Sequence, residues 1–287
     1  RAADRGIRFS HVVSTGNEAD LTLSDYVAFL ARRETVDVIC AYVEGVDDPA
    51  RFLRVTEAAI RDGTPVLAVK VGASAVAAEA TLSHTGSLAG ADDAWTAAFE
   101  GVGIERVSDV PDLLSRASAH AGRPDPDGDR VCIASTSGGL ASLLADMAAD
   151  RGLALPPIDG ETEAALLDLD ELLTYGGLHN PADIRGYGAE ILPEVAAPLL
   201  ADGSFDAYVF AVALSGVDER AETIATALER IVGNADDPVS VLWTGRKVPA
   251  DPATTTPVDR LRETTPVYED PGRCLDAVAS TTRAVTE

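Results

Sequence analysis

One histidine lies in a segment of small and hydroxylated residues, residues 81–90 (TLSHTGSLAG). The small residues around His84 let backbone and ligand approach the imidazole closely, and they leave the ring uncovered. A neutral imidazole nitrogen is nucleophilic and exchanges protons near neutral pH. His84 is therefore a candidate nucleophile or proton carrier. The alternative is a histidine in an ordinary turn, and the segment taken alone favours that alternative.

A glutamate is the second candidate for chemistry. Glu44 follows the apolar residues 36–43, and the apolar residues 65–70 precede the His84 segment. Both runs predict strands, and ligand sites of open α/β sheets lie at the carboxyl ends of strands. A carboxylate beside an imidazole orients the ring, selects its tautomer and stabilises its cationic form. A solvated loop glutamate is an equally good interpretation of Glu44 by itself.

Several turns that contain glycine, serine or threonine lie where strands end, and some lead into helices. Free N–H groups and a dipole of about half a charge make a helix N-terminus a seat for phosphate. For each turn alone, ordinary loop geometry is the favoured alternative. The candidate phosphate-binding residues are Thr15, Gly16, Asn17, Thr85, Gly86, Ser137, Gly138, Gly139, Ser215 and Gly216.

The sequence lacks the motifs that are typical of several other classes of enzyme. The histidines His11, His84, His120 and His179 show no metal-ligand spacing among themselves, so no metal site is predicted. The sequence contains no G-x-S-x-G, no G-x-x-x-x-G-K-[ST] and no G-x-G-x-x-G. These absences argue against a serine hydrolase, a P-loop NTPase and a dinucleotide-binding domain.

Alternating strands and helices must position these residues. Strands are predicted at residues 7–14, 36–43, 65–70, 104–107, 130–134, 205–213, 239–243 and near 267, with helices between most of them. Such alternation predicts parallel, doubly wound sheets. The Pro-, Gly- and Asp-rich residues 122–128 predict a linker. The sequence therefore predicts an α/β fold with one domain at residues 1–121 and a second at residues 129–287.

Composition narrows the partners. The chain has 47 Asp and Glu against 23 Lys and Arg, a net charge of -24, which argues against nucleic acid and anionic membranes. The acidity fits a salt-loaded cytoplasm or a high-GC genome. Three widely spaced cysteines, no apolar run of membrane-spanning length and no signal peptide predict reduced thiols in a cytoplasmic protein. Because the chain starts without Met, we expect a fragment with domains missing on either side.

Five motifs in order carry a family resemblance. They are residues 9–20 (FSHVVSTGNEAD), 41–45 (AYVEG), 83–90 (SHTGSLAG), 135–139 (STSGG) and 180–183 (NPAD). With these motifs the chain resembles the NDP-forming acyl-CoA synthetases, which include ADP-forming acetyl-CoA synthetase and succinyl-CoA synthetase. The resemblance covers nearly the whole chain and implies two flavodoxin-like, doubly wound domains with mainly parallel sheets.

The resemblance also implies roles for the candidate residues. His84 would carry a phosphoryl group between acyl phosphate and nucleotide, and Glu44 would hold its ring. Two helix N-termini would flank the phosphohistidine, one after residues 14–20 and one after residues 214–216, with residues 137–139 as a second candidate. CoA, phosphate and Mg-bound NDP or NTP would serve the complete enzyme.

The resemblance implies that the domains that bind most of these substrates lie outside this chain. The resemblance implies a CoA-binding Rossmann domain and an ATP-grasp domain or subunit supplied separately, and an oligomeric enzyme that is inactive without them. A non-catalytic regulatory or scaffolding paralogue is the alternative, and the presence of both His84 and Glu44 favours the enzyme. The sequence leaves open which acid is activated and whether ADP or GDP is used.

Overall fold

The computed structural model describes residues 7–16, 18–72, 92–121, 125–169, 179–185, 189–216, 219–245 and 254–283. The chain divides into two compact units, Arg8–Gly122 and Arg123–Glu287 with Arg1–Ile7. Each unit contains a parallel sheet and helices between its strands, so the predicted α/β class is confirmed. None of the described helices is long and apolar enough to cross a membrane.

In the first unit, the described elements are α1 (Leu23–Leu30), β1 (Ile39–Val43), α2 (Pro49–Arg61), β2 (Val66–Lys70), α3 (Asp92–Glu100), β3 (Glu105–Val107) and α4 (Val110–His120). The strands pair in parallel in the order β1-β2-β3. Helices α2 and α4 begin after aspartates, because the carboxylates of Asp48 and Asp109 accept amide hydrogen bonds from the first turn.

Helices cover this sheet on both faces, but unevenly. On one face, α1, α2 and α3 contribute Val27, Phe52 and Phe99 to a core with β1 and β2. On the other face, α4 packs against β2 and β3. The β1 side chains on that second face, Cys40 and Tyr42, are exposed.

The predicted strand at residues 7–14 is wrong. The residues form no strand, and the side chains of Phe9, Val12 and Val13 are 54%, 80% and 43% exposed. A strand needs a hydrogen-bonded neighbour and a buried face. Within the described residues, β1 ends the sheet without pairing to this segment, so its apolar sequence has neither.

In the second unit, the described elements are β4 (Val131–Ser135), α5 (Gly138–Ala149), α6 (Gly160–Leu169), β5 (Ala182–Asp183), α7 (Leu192–Ala201), β6 (Ala207–Ser215), α8 (Ala221–Asn234), β7 (Val239–Gly245), α9 (Pro257–Leu261), β8 (Val267–Tyr268) and α10 (Pro271–Arg283). The strands are parallel in the order β5-β4-β6-β7-β8. Numbered within the unit this is 2-1-3-4-5, the flavodoxin-like order.

The second sheet is doubly wound. Helices α6, α7, α8 and α9 share a core with the strands through residues that include Leu166, Leu192, Ile224 and Trp243. Helices α5 and α10 contact each other and the strands β4, β6 and β7. Because both faces are covered, the central strands are buried over most of their length.

A side chain completes the pairing of β4. Strand β5 pairs only with Ala134 and Ser135 at the end of β4. Along the rest of this side of β4, the side-chain amide of Asn180 takes the place of a paired strand. Its Oδ1 accepts from the Ile133 N–H at 2.9 Å, and its Nδ2 donates to the Val131 carbonyl at 2.7 Å. Asn180, the first residue of the NPAD motif, therefore stabilises the fold.

Removing this amide tests that role. Asn180→Ala leaves two backbone groups of β4 without partners, and we expect it to lower the free energy of unfolding by about 2–4 kcal/mol. Urea unfolding followed by Trp243 fluorescence in a Trp95→Phe background isolates the second unit, because the chain has only these two tryptophans. The exposed neighbour His179 gives the control, since His179→Ala should change stability by less than about 0.5 kcal/mol. Equal effects would contradict the assignment.

One ion pair joins the start of β4 to the start of β6. The Asp206 carboxylate, 7% exposed, accepts from the Arg130 backbone N–H at 3.0 Å and from its Nε and Nη2 at 2.9 and 2.6 Å. These hydrogen bonds hold the pKa of Asp206 below its usual range, although partial burial opposes the shift. Asp206 therefore stabilises the second unit in its ionised form.

The sign of the resulting pH dependence follows directly. Because the folded-state pKa of Asp206 is lowered, its contribution is complete above the unfolded value of about 3.9 and is lost as pH falls through the folded-state pKa. Asp206→Asn should be less stable than the parent at pH 7, and the difference in unfolding free energy should shrink as pH falls below about 4. Chemical unfolding across this range measures it, with the exposed Asp127→Asn as control. A difference that is constant with pH would refute it.

Candidate functional site

The carboxyl ends of β1 and β2 lie side by side in the first unit. Val43 pairs with Lys70 in the parallel register, and Glu44 follows Val43 directly. Glu44 is half-buried, and its backbone carbonyl accepts a hydrogen bond from the Lys70 Nζ at 3.0 Å. The predicted position of Glu44 at the end of a strand beside β2 is thus what the structure has.

His84, Thr85 and Gly86 fall within residues 73–91, and these lie outside the described residues, as does Asn17. The described chain stops at Gly72, just after β2, and resumes at Asp92, where α3 begins. The contact between the Glu44 carboxylate and the His84 ring therefore stays a prediction.

Several side chains that the sequence analysis did not single out meet beside Glu44. The Lys70 ammonium donates to the Val71 carbonyl and lies 5.5 Å from the centre of the Trp95 ring. Arg106 on β3 binds the Asp92 carboxylate at 2.5 Å. A lysine that ends a buried strand, one of two lysines in the chain, was the available signal.

Thr15 and Gly16 lie in the segment before α1. Gly16 is exposed, with open space where a side chain would be, and Thr15 is half-buried. The N-terminus of α1 is occupied by side chains: the Glu18 carboxylate accepts from the Leu23 N–H at 3.1 Å, and Thr22 caps the first turn. The side chains of Glu18 and Thr22 thus accept hydrogen bonds from backbone N–H groups of α1. The sequence analysis predicted that this helix N-terminus binds phosphate.

The second unit has its candidate residues at the topological switch point. Strands β4 and β6 are neighbours, and flavodoxin-like sheets bind ligands beyond the carboxyl ends of this pair. Thr136 joins the two ends, because its Oγ1 accepts from the Ala213 N–H at 2.9 Å. Ser137 follows as the N-cap of α5, and its side chain accepts from the Leu140 N–H at 3.5 Å.

The two glycines after Ser137 have different surroundings. A Cβ on Gly138 would lie 2.5 Å from the Oδ2 of Asp183, so this glycine lets the carboxylate approach the first turn of α5. Asp183 ends β5 and its Oδ1 accepts from the Arg185 N–H at 3.0 Å. A Cβ on Gly139 would meet nothing within 4 Å. The α5 N-terminus is therefore open at Gly139 and lined by a carboxylate at Gly138.

Ser215 and Gly216 are held against β7. Ser215 pairs with Gly245 after an irregularity that starts at Val212, and the Gly216 N–H donates to the Gly245 carbonyl at 3.1 Å. The Trp243 Nε1 donates to the Leu214 carbonyl at 2.8 Å. Helix α8 begins at Ala221, beyond the undescribed residues 217–218, so the structure does not join Gly216 directly to a helix N-terminus.

No metal-binding cluster of three or more His, Cys, Asp or Glu side chains occurs among the residues that the structure describes. Burial raises the pKa of the Cys132 and Cys274 thiols. Both therefore stay protonated and unsuited to nucleophilic chemistry.

Comparison with known proteins gives consistent matches. The family model of the succinyl-CoA ligase-like flavodoxin domain matches residues 1–120. The chain is 35% identical over 180 residues to the alpha subunit of ADP-forming acetate–CoA ligase I of Pyrococcus furiosus, covering 63% of this chain and 38% of that subunit. It is 33% identical over 247 residues to the alpha subunit of ligase II from the same organism, covering 83% and 52%.

A solved structure matches both units. It is the dinucleotide forming acetyl-coenzyme A synthetase 1 of Ca. Korarchaeum cryptofilum in complex with phosphate and ADP, with a TM-score of 0.81, 26% identity, and coverage of 98% of this chain and 61% of that chain. The chain thus spans between 38% and 52% of the two P. furiosus alpha subunits.

Residues 1–120 match the succinyl-CoA ligase-like flavodoxin domain, and the second unit has the flavodoxin-like strand order. Over most of its length the chain is similar to alpha subunits of ADP-forming acetate–CoA ligases, which are NDP-forming acyl-CoA synthetases, as its sequence motifs indicated.

The two glycines of α5 provide a matched test of the local geometry. Gly138→Ala drives a methyl group against the Asp183 carboxylate, and we expect a loss of about 1–2 kcal/mol in unfolding free energy. Gly139→Ala enters open space and should be neutral or slightly stabilising, because alanine favours a helix. Asp183→Ala should remove most of the penalty of Gly138→Ala in a double-mutant cycle followed by urea unfolding. Additive effects would show that the carboxylate is not the obstacle.

Proposed function

We propose that the chain supplies the phosphoryl-carrying part of an NDP-forming acyl-CoA synthetase, an acid–thiol ligase. The complete enzyme converts acyl-CoA, phosphate and NDP to the acid, CoA and NTP, reversibly. The relatives support this, because they are named as ADP-forming acetate–CoA ligases and as a 4-hydroxybutyrate–CoA ligase. Their range of acids leaves the acid and the nucleotide base of this enzyme open.

One observation carries the proposal. Glu44 lies at the carboxyl edge of the first sheet, beside the strand end from which the chain continues toward the S-H-T-G sequence. An acid and a histidine that follow neighbouring parallel strands approach the same edge. The Glu44 carboxylate would then accept the hydrogen bond of one ring nitrogen of His84 and leave the other nitrogen nucleophilic.

The reaction on His84 is a balanced double transfer. The free imidazole nitrogen attacks the phosphorus of an acyl phosphate, an N–P bond forms, and the carboxylate leaves. A terminal oxygen of NDP then attacks the same phosphorus, the N–P bond breaks, and NTP forms. Glu44 stabilises the imidazolium character of the phosphorylated ring. This chain needs no other cofactor for its part.

Backbone amides are the proposed seats for the transferred phosphoryl group. The switch-point turn of Ser137, Gly138 and Gly139 has the best support, because Gly139 is open and the turn caps α5. Thr15, Gly16 and Asn17, Thr85 and Gly86, and Ser215 and Gly216 complete the proposed set. Amide donors stabilise a dianion without donating a proton to it.

The greater length of the relatives supports a complete enzyme with further domains. We propose ligase domains at residues 1–121 and 129–287 joined by residues 122–128, with a CoA-binding Rossmann domain and an ATP-grasp domain or subunit supplied by the rest of a cytoplasmic oligomer. The isolated chain should be inactive. The high acidity fits proteins of a salt-loaded cytoplasm.

Phosphorylation of the complete enzyme tests the proposal. With Mg-ATP labelled in the γ-phosphate, we expect acid-labile, base-stable label on His84, located by mass spectrometry. His84→Asn should abolish it, and Glu44→Gln should slow it at least about tenfold with the fold intact. His179→Asn is the matched control and should label normally, because His179 is exposed and outside the proposed site.

Two outcomes would contradict the proposal. Label that persists in His84→Asn would eliminate His84 as the carrier. A complete enzyme that takes up no label and makes no NTP would favour the non-catalytic regulatory or scaffolding alternative.

A further inference from the structure

Lys70 is a buried ammonium with defined surroundings. The residue is 7% exposed, and its Nζ donates to the carbonyls of Glu44, at 3.0 Å, and Val71. A lysine ammonium has three N–H donors and no acceptor. Two donors are used by these carbonyls, and the Trp95 ring lies 5.5 Å from the nitrogen, within the range of a cation–π contact.

Among the described residues, the Lys70 ammonium does not form a direct ion pair with a carboxylate. Burial and the Arg106 guanidinium lower the pKa of Lys70, while Asp92 and Glu44 act in the opposite direction. Asp92 is itself bound by Arg106 at 2.5 Å. Within the part of the chain that the structure describes, the ammonium therefore donates hydrogen bonds to backbone carbonyls, which a buried cation fixes in place.

The partners of Lys70 come from separate parts of the chain. Glu44 follows β1, Val71 follows β2, and Trp95 lies in the first turn of α3. Residues 73–91, whose sequence includes His84, leave the described fold after Gly72 and rejoin it at Asp92. Lys70 thus contacts the chain on both sides of that segment and the backbone of the glutamate proposed to act on His84.

We propose that Lys70 is a positioning residue for phosphoryl transfer. Its ammonium holds the backbone of Glu44 and the two attachment points of residues 73–91 at one edge of the sheet. It acts through these groups and does not touch the phosphoryl group. This inference rests on the proposed function and adds to it a residue that sets the geometry of transfer.

Neutral replacement should act on rate more than on substrate binding. Lys70→Met keeps the side-chain length but leaves both carbonyls without their donor, so the Glu44 backbone can move. A misplacement of about 1 Å near a reacting group costs about a hundredfold in rate. In the proposed arrangement ATP binds to other domains of the complete enzyme, so the KM for ATP should stay near the parental value.

The experiment measures phosphorylation of His84 by labelled Mg-ATP in the complete enzyme. Lys70→Met should lower the rate at least about tenfold, with the KM for ATP within about twofold of the parent. Lys70→Arg, which keeps the cation and N–H donors, should recover part of the rate. Trp95→Leu removes the aromatic face together with the edge contact to Phe99, and it should lower the rate about threefold, within the energy of an exposed cation–π contact.

Arg116 provides the matched control in the same unit. Its side chain is 13% exposed and binds Asp112 and Glu105, the residue that begins β3, at the opposite edge of the sheet. Arg116→Met removes a partly buried cation there, so it should lower the melting temperature and leave the phosphorylation rate of folded enzyme unchanged.

The outcomes separate this inference from the function on which it rests. If the parent labels His84 and folded Lys70→Met labels it at the parental rate, the positioning role is wrong and the function stands. Loss of rate to the same extent in Arg116→Met would reduce Lys70 to a stability effect and overturn the inference. Should Lys70→Met fail to fold, a parental rate in Trp95→Leu overturns it. A parent that takes up no label on His84 refutes the function itself.

Discussion

Parallel pairing of neighbouring strands is the constraint on which the rest of the structure depends. Because β1 and β2 run in the same direction, the residues that follow them emerge at one edge, where Glu44 meets Lys70. The same rule brings the ends of β4 and β6 together, and Thr136 joins them. Residues that are tens of positions apart in the sequence thus lie a few ångströms apart, because parallel pairing alone aligns the strand ends.

The helix ends near these edges already hold negative side chains. Glu18 accepts from the first turn of α1, and Asp183 approaches the first turn of α5. A carboxylate at a helix N-terminus is stabilised by the same amides and dipole that would bind phosphate. A dianion bound at either place, as proposed, would therefore meet a resident acid, and on α5 that acid lies against Gly138 while the space beside Gly139 is free.

The fold class was predictable from the sequence, and so was the position of Glu44, because apolar runs bounded by turns report burial directly. The boundaries of several strands differ by a few residues, since the strand predicted at residues 36–43 is paired only over Ile39–Val43. The short elements β5 and α9 were missed, because two or five residues show no period. Residues 7–14 have the apolar composition of a strand, but no described strand pairs with them, and the sequence alone does not show whether such a partner exists.

The site was only partly predictable for a different reason. A sequence motif shows which residue types occur together, so His84 and Glu44 were named as a pair. The cluster of Lys70, Trp95 and Arg106 depends on contacts between β2, α3 and β3 that no spacing encodes. Asn180 was noticed as part of a motif, but its hydrogen bonds to β4 show that a motif residue can serve pairing of the sheet.

Lys70 is one of only two lysines, and this composition has a consequence for the titration of the whole chain. Of 23 basic side chains two are lysines, so 21 are arginines, which keep their charge at every pH that proteins tolerate. The cationic part of the charge is therefore nearly constant, and acidification changes the net charge mainly through the 47 carboxylates. Colloidal repulsion should vanish near the isoelectric point of 4.4, and solubility should reach its minimum there.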